Sequence, residues 1–127
     1  MSEAQILIDG VWQPADKGKT IAMINPSDGK AFAEIARGTA EDIDRAVASA
    51  RKAFESHWFK TPGFERGRLL HRLGELVETH HDELAELESR DTGKPRKQSN
   101  VDATIAARYF EFYSGAADKL HGDTLPF

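Results

Sequence analysis

Short runs of apolar residues, broken by turn-forming residues, dominate the start of the chain and predict β-structure. Two such runs flank Asp9-Gly10, a dipeptide that tolerates the positive φ angles of a two-residue hairpin turn. A second pair flanks the Asn-Pro-Ser-Asp-Gly sequence of residues 25–29, in which proline presets φ and glycine can adopt the left-handed conformation. The pattern therefore predicts two β-hairpins within residues 1–37.

From residue 39 onward the apolar period lengthens to that of an α-helix. Thr39 is a good N-cap residue, and Glu41 and Asp42 lie where acidic side chains complement the helix dipole. Apolar residues then recur at steps of three and four, with charged residues between them. The spacing predicts helices over residues 39–119, in segments of about 40–55, 65–79 and 82–91 and a last one carrying Val101 to Ala116, capped by Ser99 or Asn100.

The apolar stripes of these helices predict which faces are buried. In the first helix one face carries Ile43, Val47, Ala50 and Phe54, and the charged residues Arg45, Arg51 and Lys52 lie away from it. In the connector that follows, Trp58 and Phe59 are expected to anchor the chain to the core. The last helix ends in an aromatic cluster that is typical of a core or a subunit interface: Tyr109, Phe110, Phe112 and Tyr113. The order of elements is α+β, and a piece of a larger α/β fold would give the same order.

Composition limits the chain to at most one domain and excludes several classes of function. It has 127 residues, of which 39% are hydrophobic and 30% charged, and no apolar run of membrane-spanning length. The net charge of −4 argues against a nucleic-acid partner. No secretory or transit sequence is recognised at its start, so the cytoplasm is the expected compartment. The absence of cysteine excludes disulfides, zinc–thiolate sites and a thiol nucleophile.

The usual catalytic and cofactor motifs are incomplete, so no catalytic or cofactor-binding residue is assigned. The segment Gly63 to Gly67 lacks the third glycine of a dinucleotide fingerprint, and proline follows Lys94 where a phosphate loop needs a hydroxyl. Adjacent helical residues point about 100° apart, so His80 and His81 cannot share a metal ion and are expected to be solvated. A solvated, salt-bridged surface accounts for the acidic residues between 75 and 88 and for Arg66, Arg68 and Arg72.

A series of short motifs is more informative in its order and spacing than any one motif is alone. The motifs are Ile8–Trp12, Ile24–Lys30, Asp42–Val47, Ala50–Phe54, Arg66–Leu70, Glu83–Glu88, Asp91–Pro95 and Phe112–Lys119. Together they resemble the N-terminal segment of the NAD(P)-dependent aldehyde dehydrogenase superfamily, over residues 1–127. The resemblance implies that the chain is the N-terminal part of the α/β fold of that superfamily and forms a segment of its cofactor-binding domain.

Members of this superfamily are several times longer and oxidise an aldehyde to a carboxylic acid with NAD or NADP. Their cysteine nucleophile, glutamate base, asparagine oxyanion donor and glycine-bearing cofactor segment all lie downstream of the region that this chain resembles. By this resemblance the chain alone is expected to be inactive and not to bind the cofactor. The implied partners are the remainder of the dehydrogenase chain or other subunits of a homo-oligomer, with no nucleic acid and no membrane.

The resemblance also implies one candidate metal site, for a monovalent cation. Many relatives hold such a cation with two backbone carbonyls just before the Asn-Pro turn and an aspartate on the last helix of this region. The matching positions are Met23, Ile24 and Asp102. Carboxylate and carbonyl oxygens suit sodium or potassium. The alternative is that Asp102 caps the last helix or forms a salt bridge near its start.

A second interpretation of the whole chain comes from a different class of function. The same helices could form a stand-alone helical interaction or oligomerisation module that binds a second copy or a full-length relative through exposed apolar residues. A small-molecule pocket in the aromatic cluster is a third, weaker interpretation, which rests on composition alone. We favour the dehydrogenase segment because the motif series runs through the whole sequence.

Overall fold

The computed structural model describes residues 4–126 and contains, within that range, four strands followed by four α-helices. The strands are β1 (Ile6–Ile8), β2 (Val11–Gln13), β3 (Thr20–Ile24) and β4 (Ala31–Ala36). The helices are α1 (Ala40–Ser56), α2 (Gly63–Thr79), α3 (His81–Thr92) and α4 (Arg96–Ala116), with a short 3₁₀ helix at Trp58–Lys60. The predicted order of two hairpins and then four helices is confirmed.

The two hairpins form separate antiparallel sheets, β1 with β2 and β3 with β4. In the first turn Asp9 has a φ of 53° and Gly10 a φ of 77°, the two successive positive values that a type I′ turn requires. In the second turn Gly29 has a φ of 69°, and its N–H donates to the carbonyl of Asn25 at 2.8 Å. Both turns therefore lie where the local sequence predicts them.

The chain is divided into two compact units. The first contains the described residues up to Lys60 together with residues 91–93, so it holds both hairpins, α1 and the 3₁₀ helix. The second contains residues 61–90 and the described residues from Lys94 onward, and it includes α2, most of α3 and α4. In the first unit α1 packs against β1, so this helix belongs with the strands.

A polar cluster at the start of α1 joins the helix to the loop between β2 and β3. Thr39 and Asp42 form a reciprocal capping box, in which the Thr39 N–H donates to Asp42 Oδ2 at 2.8 Å and the Asp42 N–H donates to Thr39 Oγ1. The N–H of Asp16 donates to the same Oδ2 at 3.1 Å, and Arg45 pairs with Oδ1. Although the Asp42 residue is only 2% exposed, its charge is fully partnered, as a buried carboxylate requires. These hydrogen bonds lower the pKa of Asp42 to about 2, with the Thr39 N–H as the largest cause.

Helix α2 packs against α4 through a face of small residues. Gly67 and Gly74 of α2 are buried, and a Cβ added at Gly67 would lie 2.5 Å from the carbonyl oxygen of Ser114. On α4 the buried residues recur every fourth position: Ser99, Ala103 and Ala107. Glycine permits a close approach of backbone to backbone that a side chain would prevent. The interior of this unit is therefore made of backbone and small side chains.

Two predicted helix starts are wrong. Helix α2 begins at Gly63 rather than near residue 65, because Pro62 occupies the N-cap position. Helix α4 begins at Arg96, with Pro95 as its N-cap, so neither Ser99 nor Asn100 caps it. Ser99 lies inside the helix and is buried, and its Oγ has no hydrogen-bond partner among residues 4–126. Proline is favoured at helix starts because it has no N–H to leave unpaired, and it sets the true beginning of both helices.

Candidate functional site

The most conspicuous feature of the surface is the size of the side chains that it exposes. Within the described residues the buried side chains are all small or polar: Ala15, Asp42, Ala85, Ser99, Ala103 and Ala107. Large apolar residues from every α-helix and from the hairpins are exposed instead. Folded domains normally bury such residues, and contiguous exposed apolar surface marks a place where another chain or segment packs.

One of these surfaces is the outer apolar face of α4, which we define as Val101, Ile105, Tyr109, Phe112 and Tyr113. From Val101 to Phe112 the steps are four, four and three residues, and Tyr113 lies four residues after Tyr109, so the five residues lie along one side of the helix. Phe112 is 68% exposed and Tyr109 61% exposed. The rings of Phe112 and Tyr113 meet edge to face, with centroids 5.2 Å apart. All five residues of this face are exposed, so the face is an apolar surface open to solvent.

Helices α1 and α2 carry comparable stripes. The predicted apolar face of α1 is exposed: Ile43 is 60% exposed, Val47 56%, and Phe54 is also exposed. Helix α2 exposes a line of leucines beside its glycine face: Leu69, Leu73 and Leu76. Phe59 of the connector is 67% exposed and makes an edge-to-face contact with Phe54 at 5.7 Å. The expectation that Phe59 anchors the connector to a core is therefore wrong.

His81, which the sequence predicts to be solvated, connects α3 to α4. His80 is exposed and pairs with Glu83 at 3.0 Å. The ring of His81, by contrast, is partly buried: its Nδ1 lies 3.1 Å from Asp82 Oδ1 and its Nε2 2.9 Å from the Asn100 carbonyl oxygen. Both oxygens can only accept, so the doubly protonated ring satisfies both. The Asp82 side chain, and then the Asn100 carbonyl, raise the pKa of His81. Nothing in the local sequence signals this bond, because Asn100 lies nineteen residues further on.

The residues of the predicted cation site lie in different units. Met23 and Ile24 end β3 in the first unit, at an irregularity of the β3–β4 pairing where Met23 is opposite Ala33 and Ile24 opposite Ala31. Asp102 lies on α4 in the second unit, and its Oδ2 accepts from Lys94 Nζ at 2.5 Å. This ion pair is the alternative that the sequence left open for Asp102. The cation site stays a prediction.

The described residues offer little other material for catalysis. Among residues 4–126 no three His, Asp or Glu side chains are grouped in a way that could hold a metal ion. The sequence as a whole has no cysteine, so it supplies no thiolate nucleophile. None of the helices described is both long and apolar enough to cross a bilayer. The notable surface features are therefore the apolar stripes rather than a cluster of reactive groups.

Comparison with known proteins shows which family the chain is similar to and how much of its relatives the chain spans. The model of the aldehyde dehydrogenase family matches residues 12–127. Benzaldehyde dehydrogenase of Antirrhinum majus, named as mitochondrial, is 47% identical over 124 residues, which is 96% of this chain and 23% of that protein. A crystal structure from Burkholderia cenocepacia, assigned as an aldehyde dehydrogenase, superposes with a TM-score of 0.91 at 56% identity. The matched region covers 98% of this chain and 26% of the Burkholderia cenocepacia chain.

A second solved structure extends the comparison to a complex with a cofactor. It is a mutant betaine aldehyde dehydrogenase of Staphylococcus aureus with NAD⁺, with a TM-score of 0.88 at 34% identity over 94% of this chain and 24% of the other. The chain thus spans about a quarter of the length of each of these three relatives. With a family model matched over nearly its whole length, the chain belongs to the aldehyde dehydrogenase family, of which it represents the N-terminal segment.

Proposed function

We propose that this chain is the structural N-terminal segment of an NAD-dependent aldehyde dehydrogenase, and that the rest of that enzyme covers its outer apolar faces. The observation that carries the proposal is the inverted distribution of side chains: small residues are buried, while leucines and aromatic residues are exposed on several helices. A segment that spans about a quarter of its relatives leaves ample chain to cover these faces. Burial of apolar surface contributes roughly 25 cal/mol per Å², so the faces supply the attachment.

In this proposal the segment contributes no reacting group. Aldehyde oxidation in the family needs a nucleophile, and this sequence has no cysteine. The cofactor-binding glycines and the remaining catalytic groups are supplied elsewhere in the enzyme. We propose NAD as the cofactor of the complete protein because the Staphylococcus aureus relative is a complex with NAD⁺. Relatives are named for benzaldehyde and for betaine aldehyde, so the proposal extends to aldehydes as a class and to no particular one.

The test of this division of labour is an activity measurement on a preparation of verified mass. The chain of 14.1 kDa is purified, its intact mass is measured, and the absorbance of reduced cofactor is followed after NAD⁺ and an aldehyde are added. A complete dehydrogenase of the family, assayed under the same conditions, shows that the reagents work. We expect no cofactor reduction by the chain alone. Reduction by a preparation that contains only this mass would refute the proposal.

The exposed faces also favour self-association of the isolated chain. If the faces bind a second copy, sedimentation will show an oligomer whose fraction rises with concentration, as in a stand-alone interaction module. A homo-oligomer of the complete enzyme is part of the proposal, and sedimentation of that enzyme tests it. For the compartment we propose the cytoplasm, in line with the expectation from the sequence. The Antirrhinum majus relative is named as mitochondrial, so cell fractionation decides between the two.

A further inference from the structure

Three charged side chains of the second unit lie close together near the connection between α3 and α4. Lys94 Nζ donates to Glu88 Oε1 at 2.6 Å and to Asp102 Oδ2 at 2.5 Å. Each of these side chains is about one-third exposed, so the cluster is shielded from water on most sides. Gln98 Nε2 donates to Asp102 Oδ1 at 3.0 Å. Both oxygens of the Asp102 carboxylate therefore already accept a hydrogen bond.

The backbone around Lys94 is fixed as well. Gly93, the residue before it, has a φ of 74°, a conformation typical of the residue that follows a helix. The Ser89 hydroxyl of α3 donates to the Lys94 carbonyl at 2.7 Å. Pro95 then occupies the N-cap of α4. The Thr-Gly-Lys-Pro sequence does not match a phosphate-binding loop. Its backbone instead holds Lys94 between α3 and α4.

The donor set expected for a monovalent cation does not fit this arrangement. Sodium and potassium are held by oxygen lone pairs, and Asp102 is the one negatively charged member of the predicted set. A second cation at its carboxylate would lie within a few ångströms of the Lys94 ammonium, and like charges at that separation repel each other strongly in a partly desolvated site. The carbonyls of Met23 and Ile24 are neutral and do not offset that repulsion.

We infer that Lys94 acts as a tethered cation, which is shared between Asp102 and Glu88 and takes the place of a bound sodium or potassium ion at Asp102. The lysine is held covalently and by the Ser89 hydrogen bond to its carbonyl, so its ammonium needs no ion from solution. The pKa values agree with this placement: hydrogen bonds to Asp102 and then to Glu88 raise the pKa of Lys94, and Lys94 lowers that of Asp102. Lys94 and Asp102 therefore remain charged over the neutral range.

The test compares Lys94, which lies between α3 and α4, with Lys97 in the first turn of α4. Lys94→Met removes the tethered charge and keeps an unbranched chain, and Lys97→Met removes an equal charge from an exposed site on α4. Unfolding of each variant is followed by helical circular dichroism in denaturant. Relative to Lys97→Met, we expect Lys94→Met to raise the unfolding equilibrium constant about fivefold, as for a charged hydrogen bond that is partly screened by water. Equal effects of the two substitutions would overturn the inference.

A second measurement addresses the ion directly and does not depend on how well Lys94→Met folds. The unaltered chain and Asp102→Asn are unfolded in sodium, potassium and choline chloride at equal ionic strength, and the ²³Na line width is recorded for both. We expect the unaltered chain to have one denaturation midpoint in all three salts and the same line width as Asp102→Asn. A sodium- or potassium-specific stabilisation, or a line broadening, that Asp102→Asn removes would show that Asp102 binds a cation, and the inference would be wrong.

Discussion

Substitution of single glycines in the α2–α4 pair tests the close packing of these helices. Alanine at Gly67 places a Cβ 2.5 Å from the carbonyl oxygen of Ser114, which is far inside van der Waals contact with backbone that cannot rotate away. Alanine at Gly74 places a Cβ 3.3 Å from the carbonyl oxygen of Ala107, a distance that a small adjustment relieves. Alanine at Gly115 meets nothing within 4 Å. The same chemical change therefore has three different steric consequences in one unit.

The expected free energies follow from two opposing effects. Alanine in place of glycine in a helix gains about 1 kcal/mol, because the unfolded chain loses conformational freedom. Overpacking costs about 1–3 kcal/mol and more where backbone must move. For Gly67→Ala the steric cost dominates, and we expect a net loss of about 2 kcal/mol. For Gly74→Ala the two effects nearly cancel, and Gly115→Ala, near the end of α4, gains up to about 1 kcal/mol.

The assay is denaturant unfolding of the three variants and the unaltered chain, followed by circular dichroism at one protein concentration. We expect the order Gly115→Ala, then unaltered and Gly74→Ala together, then Gly67→Ala as the least stable. Equal stabilisation by all three substitutions would mean that α2 and α4 do not approach at Gly67, and the account of the second unit would be wrong.

Further predictions concern single polar groups. Thr39→Ala, which removes the cap of α1, should cost about 1 kcal/mol of unfolding free energy, and Thr39→Ser should restore most of it. The folded-state pKa of Asp42, about 2, lies below its ordinary 3.8, so its contribution to stability is present above pH 3.8 and is lost as the pH falls toward 2. In Asp42→Asn that acid-side loss should shrink, and unchanged acid titrations of the denaturation midpoint would contradict this. The folded-state pKa of His81 lies above its ordinary 6.5, so its contribution is present below pH 6.5 and is lost as the pH rises through the raised value. His81→Gln should flatten that decline, while His80→Gln should leave it in place.

Local chemistry was enough to predict the turns, the α1 cap and the order of elements. Asp9-Gly10 specifies its own positive φ angles, and Thr39 and Asp42 satisfy each other within one helical turn. These features depend on residues that are neighbours in sequence. The starts of α2 and α4 also depend on residues that are close in sequence. Pro62 and Pro95 occupy the N-cap positions, and a proline at a helix start is a signal that the sequence itself contains.

The direction in which each apolar face points could not be predicted in the same way. A helical stripe shows that a face is to be covered, and it does not show by which segment. The aromatic cluster of α4 is therefore predicted only as a core or a subunit interface, and in the structure Phe112 of this cluster and Ile43 of α1 are both exposed. The bond of His81 to Asn100 and the Lys94–Asp102 pair join residues eight to nineteen positions apart in sequence, and only the fold brings such groups together.

The central claim is that the outer apolar faces are covered by the rest of an aldehyde dehydrogenase, and side-chain oxidation by hydroxyl radicals measures this coverage most directly. The reactivities of Tyr109, Phe112 and Tyr113 are compared by mass spectrometry in this chain alone and in a complete dehydrogenase that contains it. The account predicts rapid oxidation of these rings in a monomeric sample of the chain and strong protection in the complete enzyme. Equal oxidation in both would show that the face of α4 stays in solvent, and the account would be contradicted.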